Sequence, residues 1–178
     1  KQCGQRKQKY LFYHKNPYDT ENTAGLFFQA VRENLLFQTE HCPEYACILE
    51  KQNFAPDDLK TEADLHKIPV LTTLYFKRNR LFSMPEEKHS VNATSSGTQG
   101  LRSVVGFDAE SMRLGIAMMT RFLSYHKLIS VLPANYLILG YEPSEHTQMG
   151  AIKTADGMTR FAPALHKEYA LKDAGTGY

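Results

Sequence analysis

The segment with the most chemical content is Thr94-Ser95-Ser96-Gly97-Thr98-Gln99-Gly100. Its hydroxyls can donate hydrogen bonds, and its glycines let backbone N–H groups converge on an anion without interference from a Cβ atom. A loop of this kind between two strands suits the cradling of phosphate. The spacing excludes two well-known phosphate loops: no Gly-Lys-Ser/Thr ending closes it, and the G-x-G-x-x-G pattern is missing. Ser, Thr and Gly are also ordinary turn residues, so residue types alone leave open a polar hairpin loop with no ligand. His41, Cys42 and Cys47 lie near one another in the sequence. A zinc site needs about four ligands, usually in two paired clusters, and no second cluster is visible. Thiols packed as small hydrophobes are the expected role of these cysteines, and core filling that of Met118 and Met119.

The elements around the loop follow from period and caps. Val91-Asn92-Ala93 and Ser103-Val104-Val105-Gly106-Phe107 read as short strands on either side of it. Asp108 is a good N-cap for an apolar helix to about Tyr125, with Met112, Ile116, Met119 and Leu123 on one stripe. Gly115 inside that helix predicts close packing, since glycine there costs about 1 kcal/mol relative to alanine. Tyr136-Leu137-Ile138-Leu139-Gly140 is a continuous apolar run, the pattern of a strand buried on both faces. A loop at Tyr141–Ser144 leads into a helical stretch from about Glu145, interrupted by Gly150, Gly157 and Pro163. The end, from Asp173 to Tyr178, is loop-like.

Upstream, residues 1–19 read as an irregular lead whose Tyr10, Phe12 and Tyr13 can dock elsewhere. Ala24, Phe27, Phe28, Val31 and Leu35 mark one face of a helix over about 23–40, and a short helix follows over Tyr45–Gln52. Thr61 with Asp64 resembles a capping arrangement for a short helix carrying Leu65, which Pro69 stops. Thr72 or Thr73 caps the next, through Lys77. The alternation of helices and strands predicts an α/β fold.

Composition narrows the class. The chain has 178 residues, 42% of them hydrophobic and 22% charged, which excludes collagen-like, low-complexity and strongly disordered chains. A net charge of +2 is far from a nucleic-acid footprint, so no nucleic-acid partner is expected. No apolar run is long enough to cross a bilayer and none near the start reads as a secretion signal. With three cysteines, a closed disulfide framework is excluded, which favours a reducing, cytoplasmic setting.

Ser95-Ser96-Gly97-Thr98-Gln99-Gly100-Leu101-Arg102-Ser103 resembles the Ser/Thr-Ser-Gly-Thr-Thr-Gly-x-Pro-Lys phosphate loop of adenylate-forming enzymes. The stretch Phe54-Ala55-Pro56-Asp57-Asp58-Leu59-Lys60, with Asp64-Leu65-His66-Lys67-Ile68-Pro69-Val70-Leu71-Thr72, is similar to the lead-in of phenylacetate–coenzyme A ligases. Leu139-Gly140-Tyr141-Glu142-Pro143-Ser144 and Gln148-Met149-Gly150-Ala151 look most like the acyl-protein synthetases of bacterial bioluminescence, the long-chain-fatty-acid–luciferin-component ligases. The resemblance covers roughly residues 54–170. It departs from the pattern at Gln99, where Thr or Ser is usual, and at Arg102 and Ser103, which replace Pro-Lys.

The resemblance implies part of the large N-terminal domain of an adenylate-forming enzyme, a helical lead followed by strands and helices around a mixed sheet. Residues 1–22 would be the lead, and 23–178 an incomplete α/β adenylation domain. It implies ATP and Mg²⁺ as cofactors, with Ser95, Ser96, Gly97, Thr98, Gln99 and Gly100 on the β- and γ-phosphates and Arg102 as a helper. Tyr141 and His146 would approach the acyl or nucleotide pocket. The implied reaction activates a long-chain fatty acid as its acyl-adenylate and passes the acyl group to a protein cysteine. A fatty acid reductase complex is an implied partner. The alternatives are an aryl- or acyl–coenzyme A ligase, with coenzyme A as the accepting thiol, and a non-catalytic interaction module. The family's adenine-binding segment, ribose-binding aspartate and catalytic lysine have no counterpart before Tyr178. No catalytic residue is therefore assigned within residues 1–178, which are expected to be inactive alone, and no metal ligand is assigned.

Overall fold

The computed structural model describes residues 6–95, 100–144, 147 and 150–172. Six helices and four strands are described: α1 (Arg6–Phe12), α2 (Thr20–His41), α3 (Pro43–Lys51), α4 (Thr73–Arg78), β1 (Val91–Thr94), β2 (Val104–Phe107), α5 (Ala109–Tyr125), β3 (Ala134–Tyr141), α6 (Gly150–Met158) and β4 (Ala164–Leu171). Short 3-10 turns at Pro56–Asp58, Glu62–Lys67 and Glu86–Lys88 lie between them. The α/β class is borne out. Among the described residues the strands form two small sheets, antiparallel β1–β2 and parallel β3–β4, where one mixed sheet was expected.

The long helices begin where side chains can satisfy their first N–H groups. Asp19 accepts from Asn22 N–H at 3.1 Å, which starts α2 three residues before the expected position. Asp108 accepts from Ser111 N–H at 2.7 Å and opens α5, and Thr72 caps α4. Asp64 accepts from Thr61 N–H at 2.8 Å and Lys60 N–H at 3.1 Å, and its carboxylate meets Lys67 Nζ at 2.6 Å. The Lys67 ammonium first, then the Thr61 donors, hold the Asp64 carboxyl well below the usual carboxylate range. The anticipated cap is in place, although the turn it opens is 3-10 in form.

Leu35 of α2, Leu49 of α3 and Leu59 form the best-buried apolar cluster, with Phe28, Tyr45, Phe54 and Ile68 packed against it. Leu59 reaches this core because the turn before it is fixed by Asp58 accepting Ala55 N–H at 2.7 Å. Cys42, between α2 and α3, is also buried, and burial pushes its thiol pKa up.

Three expectations are corrected. The lead is not irregular throughout, since it contains α1, which packs on α2 and α5. A helix of seven residues has little stability of its own, and tertiary contacts hold this one. Arg121 Nη1 donates to the Phe12 carbonyl at 3.3 Å, Arg113 Nη1 donates to Tyr13 Oη at 2.7 Å, and the Arg121 guanidinium lies 5.6 Å from the Tyr13 ring centre. Tyr18 meets Tyr125 at a tilt and His126 edge-on, its hydroxyl 2.8 Å from His126 Nε2. Phe12 is half-buried and Tyr13, though still exposed, is held by both arginines, whereas Tyr10 is more exposed still.

The α5 stripe holds only in part: Leu123 is buried and Met112 and Met119 half-buried, but Ile116 departs from it. Leu114 and Leu123 are buried while Ile116 faces out, and nothing lies within 4 Å of a Cβ built on Gly115. Strand β3, finally, is not buried on both faces: Ile138 is 8% exposed, Leu137 70% and Leu139 86%. Helix α6 packs on β3, and Ile152 of that helix is buried like Ile138. Among the described elements nothing comparable covers the opposite face, so exposure alternates with the strand's period of two.

Candidate functional site

The segment expected from the sequence to cradle phosphate is the connection of the β1–β2 hairpin. Register pairs Val91 with Phe107, Asn92 with Gly106, Ala93 with Val105 and Thr94 with Val104. Beyond the last rung the loop is closed at its base by two further bonds. Ser95 N–H donates to the Ser103 carbonyl at 3.1 Å, and Ser103 N–H donates to Ser95 Oγ at 3.0 Å. The Ser95 oxygen thus has a structural duty as an acceptor, while its hydroxyl is also a donor. Gly100 has φ +77°, a conformation that a residue with a Cβ adopts only with strain. Arg102 is exposed two residues further on. Ser96, Gly97, Thr98 and Gln99, four of the seven phosphate-site residues expected from the sequence, lie outside the described residues.

The hairpin is carried by its neighbours. Strand β2 packs on α5, and Asp108 links strand to helix by capping the latter. The loop lacks any carboxylate in its sequence, from Thr94 to Ser103. Its donors are hydroxyls, an amide, a guanidinium and backbone N–H groups, a set that suits phosphate oxygens and does not suit direct coordination of a cation. Among the described residues no group of three or more His, Cys, Asp or Glu is placed to hold a metal ion.

Tyr141 stands at the C-terminal end of β3, half-buried and in register with Leu171. Strand β3, helix α6 and strand β4 form a parallel βαβ unit, and the connection after a parallel strand is where open α/β sheets receive ligands. Part of that connection is ordered by Thr147, which is buried: Ser144 N–H donates to its Oγ1 at 2.8 Å, and Thr147 N–H returns to the Ser144 carbonyl at 3.1 Å. His146 lies outside the described residues. Ser95, Gly100 and Arg102 share one loop, whereas Tyr141 belongs to the other sheet.

Two features of this region have no plain signal in the sequence. Asp156 of α6 accepts the Tyr169 hydroxyl at 2.6 Å and lies 3.7 Å from Lys167 Nζ, which ties α6 to β4. The hydrogen bond to the Asp156 carboxylate, chiefly, pushes the Tyr169 phenol pKa up to about 12. Separately, a cleft of about 720 Å³ lies between the lead, α2 and α5, with apolar walls that include Phe12, Phe27, Met119, Phe122 and Met158. Arg121 lines it too, and its Nε is buried without a hydrogen-bond partner among the described residues. Helical spacing marks Phe27 and Met119 only as apolar and says nothing of the gap left between them.

Comparison with known proteins places this arrangement in a family. The chain has a stretch of 71 residues that is 37% identical to a phenylacetate-coenzyme A ligase of Aromatoleum evansii, covering 38% of the chain and 16% of that protein's length. The family model described as acyl-protein synthetase, LuxE, matches residues 9–151. That match takes in most of α1, the β1–β2 hairpin with its loop, all of β3 and the start of α6, well over half of the 178 residues. The chain belongs to the acyl-protein synthetase (LuxE) family.

Proposed function

We propose that this chain is the N-terminal part of a ligase that activates a carboxylic acid with ATP and passes the acyl group to a thiol. The observation that carries the reading is the family match across the hairpin whose loop has the residue types of a phosphate cradle. A fatty carboxylate oxygen attacks the α-phosphorus of ATP. A carboxyl O–P bond forms, the bond to the β-phosphate bridge breaks, and pyrophosphate leaves. A protein cysteine thiolate then attacks the acyl carbon, forming the thioester and releasing AMP.

The first step separates highly charged groups and needs charge stabilisation more than covalent help. Hydroxyls and N–H groups from Ser95 to Gly100 would bind the β- and γ-phosphates and then the departing pyrophosphate, with Arg102 at the exit of the loop. Mg²⁺ would arrive on ATP and supply charge neutralisation, held mostly by phosphate oxygens and water. Tyr141 and His146, after the β3 strand, would lie toward the acyl or nucleotide pocket. Residues 1–178 alone are expected to show no turnover.

A second reading, with coenzyme A as the accepting thiol, is favoured by the similarity to the phenylacetate-coenzyme A ligase. The test is exchange of labelled pyrophosphate into ATP by the full-length protein, with acids from benzoate to tetradecanoate. Exchange driven by long-chain acids, followed by label from the acid on the protein itself, supports the first reading. Exchange with aryl acids and acyl release on coenzyme A supports the second. No exchange with any acid, in folded protein, removes both.

A further inference from the structure

Gly106 of β2 has no side chain, and another side chain stands in its place. A Cβ built on it would overlap Cε1, Nδ1 and Nε2 of His89, closer to the ring than any real Cβ comes to a neighbour. No carbon atom fits there, so the imidazole rests directly on the strand backbone. The ring is held on its other sides as well. Its Nδ1 lies 2.8 Å from Asn92 Oδ1, and the Phe82 ring meets it edge-on at 4.8 Å between centres. Its backbone is fixed by the 3-10 turn before it, where His89 N–H donates to the Glu86 carbonyl at 3.0 Å and Arg80 pairs with Glu86 at 3.1 Å.

Asn92 and Gly106 are partners across the hairpin, so the ring and the Asn92 amide sit on one face of it. Thr94 and Val104 follow two residues later on that same face and form the last rung before the loop. At about 3.4 Å per residue, the imidazole sits roughly 7 Å from the base of the loop. A hairpin of two four-residue strands has marginal stability of its own, so its direction is set by what packs on it. Those supports are α5, packed on β2, and the Phe82–His89 ring pair.

We propose that His89 is a positioning residue for the phosphate loop: seated on Gly106, its ring sets the direction in which the hairpin presents residues 95–103. This rests on the reading that the loop binds the phosphates of ATP. His89 itself is not placed on the phosphates; it acts through the strand.

The experiment measures KM for ATP and kcat of pyrophosphate exchange in the full-length enzyme, with thermal melting alongside. The variants are His89→Ala, Gly106→Ala and the double variant H89A/G106A, with Thr98→Ala as a direct change in the loop. Gly106→Ala drives a methyl group into the ring and is expected to raise KM for ATP about tenfold with kcat little changed. His89→Ala removes one support, and a rise of about threefold is expected. The double variant is expected to match His89→Ala, because the methyl group then has room. A wild-type KM in Gly106→Ala, or a double variant as impaired as Gly106→Ala, overturns the proposal. So does a fall in melting temperature and kcat with KM unmoved, the signature of a merely structural contact. Should Gly106→Ala not fold, His89→Ala decides alone: a raised KM supports the proposal and a wild-type KM overturns it. An unchanged KM in Thr98→Ala removes the loop reading itself. A raised KM there, with the His89 and Gly106 variants at wild type, removes this inference alone.

Discussion

Replacing Leu59 by alanine tests how the stretch from Phe54 to Thr72 is anchored. Leu59 is 2% exposed and meets Leu35, 5% exposed, and Leu49, 2% exposed, in the centre of the helical core. Truncation removes three carbons, worth about 2.4 kcal/mol at about 0.8 kcal/mol each. A cavity term adds to this, because the walls cannot close in. Leu35 and Leu49 are fixed on separate helices, and the turn before Leu59 is held by the Asp58 bond to Ala55 N–H. The sum is about 3–4 kcal/mol, inside the range of about 2–5 kcal/mol for buried Leu→Ala changes. For a chain of this length that is a fall in Tm of roughly 6–16 °C. Val70 closes the same stretch but is 87% exposed, and Val70→Ala is expected to cost less than about 0.5 kcal/mol. The assay is urea unfolding of the 178-residue chain followed by far-ultraviolet circular dichroism. Leu59→Ala within about 1 kcal/mol of the parent, or Val70→Ala as costly as Leu59→Ala, refutes this placement of the core.

Three further outcomes follow from the same geometry. Asp108→Ala removes the cap of α5 beside β2 and should cost about 1 kcal/mol in thermal unfolding, with Asp108→Asn close to neutral; equal losses for both would deny the cap. Gly115→Ala should raise stability by about 0.5–1 kcal/mol, since its methyl group meets nothing within 4 Å; a fall in Tm would restore the close packing that the sequence predicts. Tyr169 has its folded pKa raised above the ordinary phenol value of 10.0 to about 12, so the stability it contributes is complete below pH 10 and is lost as pH rises toward 12. The difference in phenolate absorbance between the parent and Tyr169→Phe should titrate near pH 12, and a midpoint near 10 would show that the Asp156 bond does not form.

Helices α2, α4 and α5 were legible because their starts are written locally. Thr72 and Asp108 each precede their helix and accept an N–H within the first turn, and α2 shows its apolar period although Asp19 starts it three residues early. Helix α1 was not, because Arg113 and Arg121, the groups that hold it, lie far along the chain on α5. Strand β3 is legible as a strand, whereas its one-sided burial is not. An apolar run shows that a strand can be covered on both faces, and the neighbours decide which face is.

The hairpin around the loop was legible from the short apolar runs on either side of it, Val91–Ala93 and Ser103–Phe107. The role of Ser95 as acceptor for Ser103 N–H depends on the strand register, which composition does not contain. The contact of His89 with Gly106 was invisible for the same reason: a glycine that leaves room for a ring reads in sequence like any other glycine in a strand.

The most direct test of the central claim is KM for ATP in carboxylate-dependent pyrophosphate exchange, comparing the full-length enzyme with its Ser96→Ala/Thr98→Ala variant. If the loop holds the phosphates, KM rises by about tenfold or more while the protein melts at the parental temperature. An unchanged KM in a variant that folds and exchanges normally would contradict the account and leave the 95–103 loop a polar turn.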